Sequence, residues 1–200
     1  MDQSYCRYIV WEINMENIFK GILKNVHAEL KPLGYKKDGQ NFRLIQEDGL
    51  CKIINFQRNK WNTKESIAFT MNLGIYFEKD VLIQNKKFKE YDCIIRNRLL
   101  GDKWWCINAD ADCDSVKEDV VASLDLVQEY FNAFKNKEDT IKSILNNKAQ
   151  QYSDTIVMKY DTSKMLVDMG YEQDVYDLIK DTDPKYKLLF ELAEELRSRG

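Results

Sequence analysis

The chain has 200 residues, 44% of them hydrophobic, 12% aromatic and 32% charged, with a formal net charge of −3; this length suits one domain plus a helical layer and buries roughly 70% of the unfolded surface without a covalent staple. So small a negative charge supplies no general attraction for nucleic acid. Five cysteines (Cys6, Cys51, Cys93, Cys106, Cys113) with no CxxC spacing indicate neither a disulfide framework nor a zinc site, and with no signal-peptide pattern and no apolar run of membrane-spanning length a reduced, cytoplasmic setting is expected.

Residues 1–14 form an N-terminal extension in which Tyr5, Arg7, Ile9, Trp11 and Ile13 alternate as in an edge strand, and Met15 is a natural start. From Met15 to Leu33, Ile18, Phe19, Ile22, Leu23, Val26, Leu30 and Leu33 recur at helical spacing, until Pro32 and Gly34 end the helix. The turn signals Asp38-Gly39 and Asp48-Gly49 bracket a short strand through Phe42, Leu44 and Gln46. The clearest pattern follows, from Cys51 to Phe77. Ile67, Phe69, Met71, Leu73, Ile75 and Phe77 are apolar at every second position, and Ala68, Thr70, Asn72, Gly74 and Tyr76 lie between them. Successive strand side chains leave opposite faces, so this strand has an oily face and a wetter one. The strand before it places Ile54 and Phe56 on the core parity and Asn55, Gln57, Asn59 and Trp61 on the other; the polar loop Asn62–Glu65 joins the two as a hairpin. After a charged stretch from Glu78 to Tyr91, the run DCIIRNRLL reads as a fourth strand with Arg96 and Arg98 on the wetter face, and Gly101-Asp102 turns into KWWCI, a fifth.

From Ser115 the period becomes helical, with Val116, Val120, Leu124, Val127, Phe131 and Phe134 along one side of a long helix. Helices follow near Thr140–Lys148, Ser163–Met169, Glu172–Lys180 and Pro184–Arg199, with Gly170 as a C-terminal stop and Asp183-Pro184 as cap and first turn of the last. That last helix is amphipathic and is expected to dock on its own domain. Strands in a block followed by helices in a block define an α+β fold: an antiparallel sheet of four to five strands against an N-terminal helix and a long following helix, plus a C-terminal helical segment. The expected divisions are 1–14, an α+β domain at 15–146, and a helical segment at 147–200 packed on the same domain.

The succession LKPLGYKK, NFRL, INFQRNKW, FTMNLGIYF, IIRNRL and KWW resembles the bacterial domain-of-unknown-function family 4304 over about residues 15–135. The resemblance implies a cytosolic α+β domain of bacterial origin and carries no catalytic residues to transfer.

The residues themselves suggest no catalytic constellation, cofactor or metal. The single histidine, His27, sits beside the apolar stripe of the first helix with no nucleophile motif near it. Asp110, Asp112 and Asp114 alternate as in the opening of a calcium loop, but Ser115 stands where the turn glycine belongs and Val121 where the bidentate glutamate belongs. Asp112 or Asp114 is better read as a helix cap, and a hydrolase built on Asp110 and Asp112 ranks last. The glycines are isolated, so a phosphate cradle is absent. What remains is the wet face of the sheet: Asn55, Gln57, Asn59, Asn72, Arg96 and Arg98, with Trp61 and Tyr76 at its edges. Amides and arginines beside aromatics suit a protein hot spot, a carboxylate or a phosphate. The expected function is a non-enzymatic protein-binding module, in one version of immunity or inhibitor type. The alternatives are a binder of a small anionic ligand or of single-stranded nucleic acid through the same face, and a face that is merely solvated or covered by the C-terminal helices.

Overall fold

The computed structural model describes residues 14–78, 87–153 and 160–199; the strand expected through Tyr5–Ile13 lies outside them. The first helix, α1 (Met15–Leu30), is capped by Asn14, whose side-chain oxygen accepts from the N–H groups of Glu16 and Asn17. It buries Met15, Phe19, Ile22, Leu23, Val26 and Leu30 and runs into a 3-10 turn, Lys31–Leu33, that ends at Gly34 with φ +90°. Leu33, expected on the buried stripe, is instead half exposed at 50%, because the tighter turn rotates it off the α-helical face.

Among the described residues six strands follow: β1 (Lys36–Asp38), β2 (Asn41–Ile45), β3 (Leu50–Arg58), β4 (Ser66–Phe77), β5 (Ile95–Arg98) and β6 (Trp105–Asn108). All pairings are antiparallel, in the order β1-β2-β3-β4-β5, with β6 also on β4. The sequence suggests four or five strands; β1, the three charged or polar residues KKD, was not legible because an exposed edge strand needs no apolar alternation. β4 is the longest strand. One edge pairs with β3, while the other is shared: β5 lies beside Asn72–Ile75 and β6 beside Ser66–Phe69. β5 and β6 therefore run the same way along one line, interrupted by an outward excursion from Leu99 to Trp104 in which Leu100 and Gly101 both have positive φ. Asp119 anchors that excursion through one carboxylate oxygen, which accepts from Lys103 Nζ at 2.6 Å and Trp105 Nε1 at 2.7 Å.

The inner face carries the core. Phe42, Ile54, Phe56, Phe69, Met71, Leu73 and Ile75 join α1, with Phe19 and Phe69 rings 5.0 Å apart and Phe69 stacked on Trp105 at 5.9 Å. Each such ring contributes about 1.5–3 kcal/mol by leaving water. The long helix expected from Ser115 is two, α2 (Cys113–Ala122) and α3 (Leu124–Asn132), with α2 capped by Asp112 as the sequence suggests. At the break, the Ser123 hydroxyl donates to the Asp119 carbonyl at 2.7 Å, a side-chain bond that competes with the helix ladder. The remaining helices, α4 (Lys137–Leu145), α5 (Tyr160–Asp168), α6 (Glu172–Ile179) and α7 (Lys187–Arg199), add Ile141, Leu166, Val175, Ile179, Leu192 and Leu196 to the same continuous core. α7 starts three residues later than the Asp183-Pro184 pair suggests, because Asp183 caps a separate turn by accepting from the Lys185 N–H.

Between α4 and α5 the 3-10 turn Ala149–Tyr152 brings Ser153 to the edge of β5 that faces away from β4. Its hydroxyl donates to the Arg96 carbonyl at 3.1 Å and accepts from the Arg96 N–H at 3.3 Å, so one side chain meets both backbone polar groups of that residue.

The outer face is divided. Toward one end, Cys51, Ile53 and Tyr76 are covered by the β4–β5 connection, whose Phe88 stacks on Tyr76 at 4.8 Å and whose Cys93 is buried. Arg43 ties this strap down, its Nε donating to the Phe88 carbonyl at 2.7 Å while its Nη1 pairs with Asp38 at 3.1 Å. Gly74 permits the approach: a Cβ there would lie 2.5 Å from Cys93 Sγ and 2.9 Å from Cys93 Cβ. Gly74→Ala is expected to cost about 1–3 kcal/mol by overpacking, read as a lower melting temperature together with faster labelling of Cys93 by a thiol reagent, resolved by peptide mapping.

One charge is buried on the inner face. Lys52 Nζ donates to the Phe131 carbonyl at 3.1 Å, at the C-terminal end of α3, and lies 5.6 Å over the Phe131 ring. Burial pulls its pKa below the ordinary 10.5. The folded chain thus holds this proton less tightly than the unfolded chain does: the penalty is full below the depressed pKa and fades as pH rises through it toward 10.5. Urea denaturation at successive pH values should show the stability of Lys52→Met relative to the parent falling across that interval, since only the parent sheds the penalty.

A polar trench across the outer face of the sheet

The other half of the outer face is an open trench, and its floor follows from strand register. Asn41 pairs with Asn55, Asn55 with Asn72, and Asn72 with Arg98, so one polar rung crosses four strands. Its side chains are linked in series. Asn55 Nδ2 donates to Asn41 Oδ1 at 2.8 Å, and Asn72 Nδ2 donates to Gln57 Oε1 at 2.8 Å and, more weakly, to Asn55 Oδ1 at 3.4 Å. Arg98 closes the series with its Nε 3.3 Å from Asn72 Oδ1 and its Nη2 3.5 Å from Gln57 Oε1, while its guanidinium carbon lies 5.6 Å from the centre of the Trp104 ring. A side-chain amide carries two N–H donors and an oxygen with two lone pairs. The series uses only part of that capacity; Asn41 Nδ2 and Gln57 Nε2 donate to nothing among the described residues.

Two hollows make up the trench. One, about 530 Å³, is lined by Gln57, Asn72, Arg96, Arg98, Asp102 and the strap residues Glu90 and Tyr91. The other, about 620 Å³, lies toward β1 and β2 and is lined by Asp38, Asn41, Asn55, Gln57 and Arg58 with the same Glu90 and Tyr91. Gln57, Glu90 and Tyr91 belong to both, so the hollows are continuous under the strap's tip. No residue of the C-terminal helices lines either. Among the described residues, the cover on this face comes from the β4–β5 connection.

Asn55, Gln57, Asn72, Arg96 and Arg98, singled out by alternation, come together. Asn59 and Trp61 do not join them: the Asn59 side chain accepts from the Trp61 N–H at 2.9 Å within the hairpin turn, and Trp61 projects from the tip, 77% exposed, with Lys60 Nζ 4.9 Å from its ring centre. Parity alone could not show this, since pairing ends at Arg58 and the chain leaves the sheet. Thr70 is likewise removed, fully buried with its hydroxyl donating to the Lys103 carbonyl at 2.9 Å, and Tyr76 lies under Phe88. Asn41, Glu90, Tyr91 and Trp104 were missed. Asn41 opens the NFRL strand and was legible as its first residue; the other three reach the trench through the strap and the excursion, which carry no periodic signal.

His27 packs 6.1 Å from the Phe42 ring. Burial pushes the Cys51 thiol up to about 12 and Cys93 well above its ordinary value, so both stay protonated and poorly nucleophilic. Asp112 is engaged in its cap, and among the described residues no group of three or more His, Cys, Asp or Glu side chains is arranged to hold a metal. No described helix is long and apolar enough to cross a membrane.

A family model described as a domain of unknown function (DUF4304) matches residues 26–154, and the chain belongs to this family. Every trench residue falls within that span, whereas α5–α7 lie beyond it. Comparison with curated proteins and with solved structures finds no match.

The amide series is coupled only if its bonds hold in solution. A double-mutant cycle of Asn72→Ala and Arg98→Ala, read by urea denaturation, should give a coupling of about 0.5–1.5 kcal/mol; additive effects would mean that the two side chains act independently.

Proposed function

We propose that this domain is a non-catalytic recognition module of the bacterial cytoplasm whose trench receives an extended segment of a protein partner, with an inhibitor or immunity role as one concrete form. The observation that carries the reading is the rung of part-used side-chain amides in an open trench. Peptide groups present one donor and one acceptor per residue, and an amide floor answers both without a buried charge. The series is held in register by the sheet, so little ordering is needed on binding. The exposed ring of Tyr91, at the junction of the two hollows, supplies apolar area at small entropic cost.

A second reading, a small anionic ligand or single-stranded nucleic acid, is favoured by one feature: Trp104 and the arginines beside a hollow of ligand size. A photo-reactive residue in place of Tyr91 separates the two. In host cells the intact chain should yield one dominant protein adduct, lost on Asn41→Ala with Gln57→Ala in a variant that melts like the parent. An adduct indifferent to those substitutions would remove the trench from the reading, and a melting shift with an oligonucleotide but no adduct would favour the second.

A further inference from the structure

We propose that this chain associates head to tail, with Trp61 at the tip of the β3–β4 hairpin of one copy seated in a pocket between α4 and the α5–α6 turn of the next. None of the trench's side chains takes part, so the association stands independently of the trench's role. Trp61 is the knob, and the turn around it is held by side chains on both sides. Asn59 Oδ1 accepts from the Trp61 N–H at 2.9 Å, and Asn62 both donates to the Ala68 carbonyl at 3.0 Å and accepts from the Ala68 N–H at 2.8 Å. Thr63 Oγ1 accepts from the Glu65 and Ser66 N–H groups, each at 3.2 Å. A turn fixed in this way leaves the indole 77% exposed with only its own rotamers to lose on burial.

A single exposed ring needs no partner, but a fitting pocket on the same molecule gives it one. That pocket, of about 500 Å³, is lined by Ile141 of α4, by Met169 and Tyr171 on either side of Gly170, and by the charged side chains of Asp48, Lys137 and Glu138. It is formed in advance. Asp48 accepts from the Leu50 N–H at 3.0 Å and from the Lys137 N–H at 2.5 Å, which stitches the β2–β3 turn to the first turn of α4. Gly170, with φ +90°, lets the chain double back from α5 into α6. A thioether and a phenol ring beside a buried isoleucine suit an indole, because methionine sulfur is drawn to aromatic rings and paired rings gain beyond their area. Lys60 and Lys64 flank Trp61 and would meet the Asp48 and Glu138 carboxylates. Glu138 also pairs with Lys142 in an exposed bridge, so charge assists weakly and the apolar fit carries the contact.

The two halves lie at opposite ends of one strand. Asp48 stands two residues before β3 and Trp61 three residues after it, with the nine residues of the strand, roughly 30 Å of extended chain, between them. No copy can therefore fill its own pocket. A contact between unlike surfaces leaves a knob open at one end of a pair and a pocket open at the other, so it propagates into rings or open chains. One indole and its surroundings bury far less than the roughly 1,200 Å² of a stable interface, so the association is weak and rises with concentration.

Sedimentation velocity of the intact chain from about 10 μM to about 1 mM spans the range in which so small a contact forms. The weight-average sedimentation coefficient should climb across it. Trp61→Ala and, separately, Met169→Lys, which sets a cation where the indole lies, should each weaken association by about tenfold or more. Each variant keeps the half that the other has lost, so an equimolar mixture of the two should form one-to-one pairs and stop there. Glu138→Lys, which sets a cation against Lys60, replaces Met169→Lys if circular dichroism shows that variant unfolded. The proposal is overturned if the parent stays monomeric at the highest concentration, if Trp61→Ala associates as the parent does, or if the mixture associates no more than either variant alone. Association lost with Trp61→Ala but kept with the pocket variants would seat the tip on another surface and overturn it equally.

Discussion

The pairing of β3 with β4 over nine residues, Leu50 opposite Phe77 through Arg58 opposite Phe69, is the constraint on which the rest depends. A sheet side chain has two directions to choose from, and a slip of one residue would turn Phe56, Phe69 and Met71 to water and bring Asn55, Gln57 and Asn72 into the core. The cost of that exchange, several buried aromatic and aliphatic side chains against desolvated amides, leaves one register. Once it is set, the amide rung is set with it, because β2 and β5 align on the same strands.

The sheet then has a second problem, an outer face with apolar residues at one end and polar ones at the other. Among the described residues, Cys51, Ile53 and Tyr76 are covered not by a helix but by the strap from Lys87 to Cys93, which crosses the face before β5 begins. A close approach of that kind needs a strand position with no side chain, which Gly74 provides, and an anchor at the far side, which Arg43 provides. The strap ends where the amides begin. Its tip, Glu90 and Tyr91, becomes the roof of the trench's middle, so the same segment that completes the fold shapes the site.

On the opposite side of β4, the excursion between β5 and β6 does the equivalent work. It buries Thr70 beneath the Lys103 carbonyl, is pinned to α2 through Asp119, and delivers Trp104 to Arg98. Hydrogen bonds from both Lys103 and Trp105 hold the Asp119 carboxyl below its usual range. The trench is thus bounded by two irregular segments, each fixed by a charged side chain whose partners are known, while its floor is regular sheet. Rigid floor and irregular walls are the usual division of labour where a surface is built for recognition.

Local periodicity determined a good deal by itself. The alternation in β4 assigned its two faces, the parity of Asn55, Gln57, Asn72, Arg96 and Arg98 placed them on the wet one, the α1 stripe and the Asp112 cap were legible, and the block of strands before the block of helices defined the α+β class. These are short-range consequences of backbone geometry, with periods of 2 and 3.6 residues, and they survive without knowledge of neighbours. Only the tertiary structure decided which of those polar residues meet, because register joins residues far apart in sequence: Asn41 to Asn55, Asn72 to Arg98. It decided also that Asn59 and Trp61 leave with the hairpin turn, that Ser123 splits one apparent helix into two, and that β1 exists at all, since none of these alters hydrophobic periodicity. The strap over Cys51 and Tyr76 was the least legible element, for its path is dictated by one missing Cβ and one arginine on strands that the sequence places more than ten residues away.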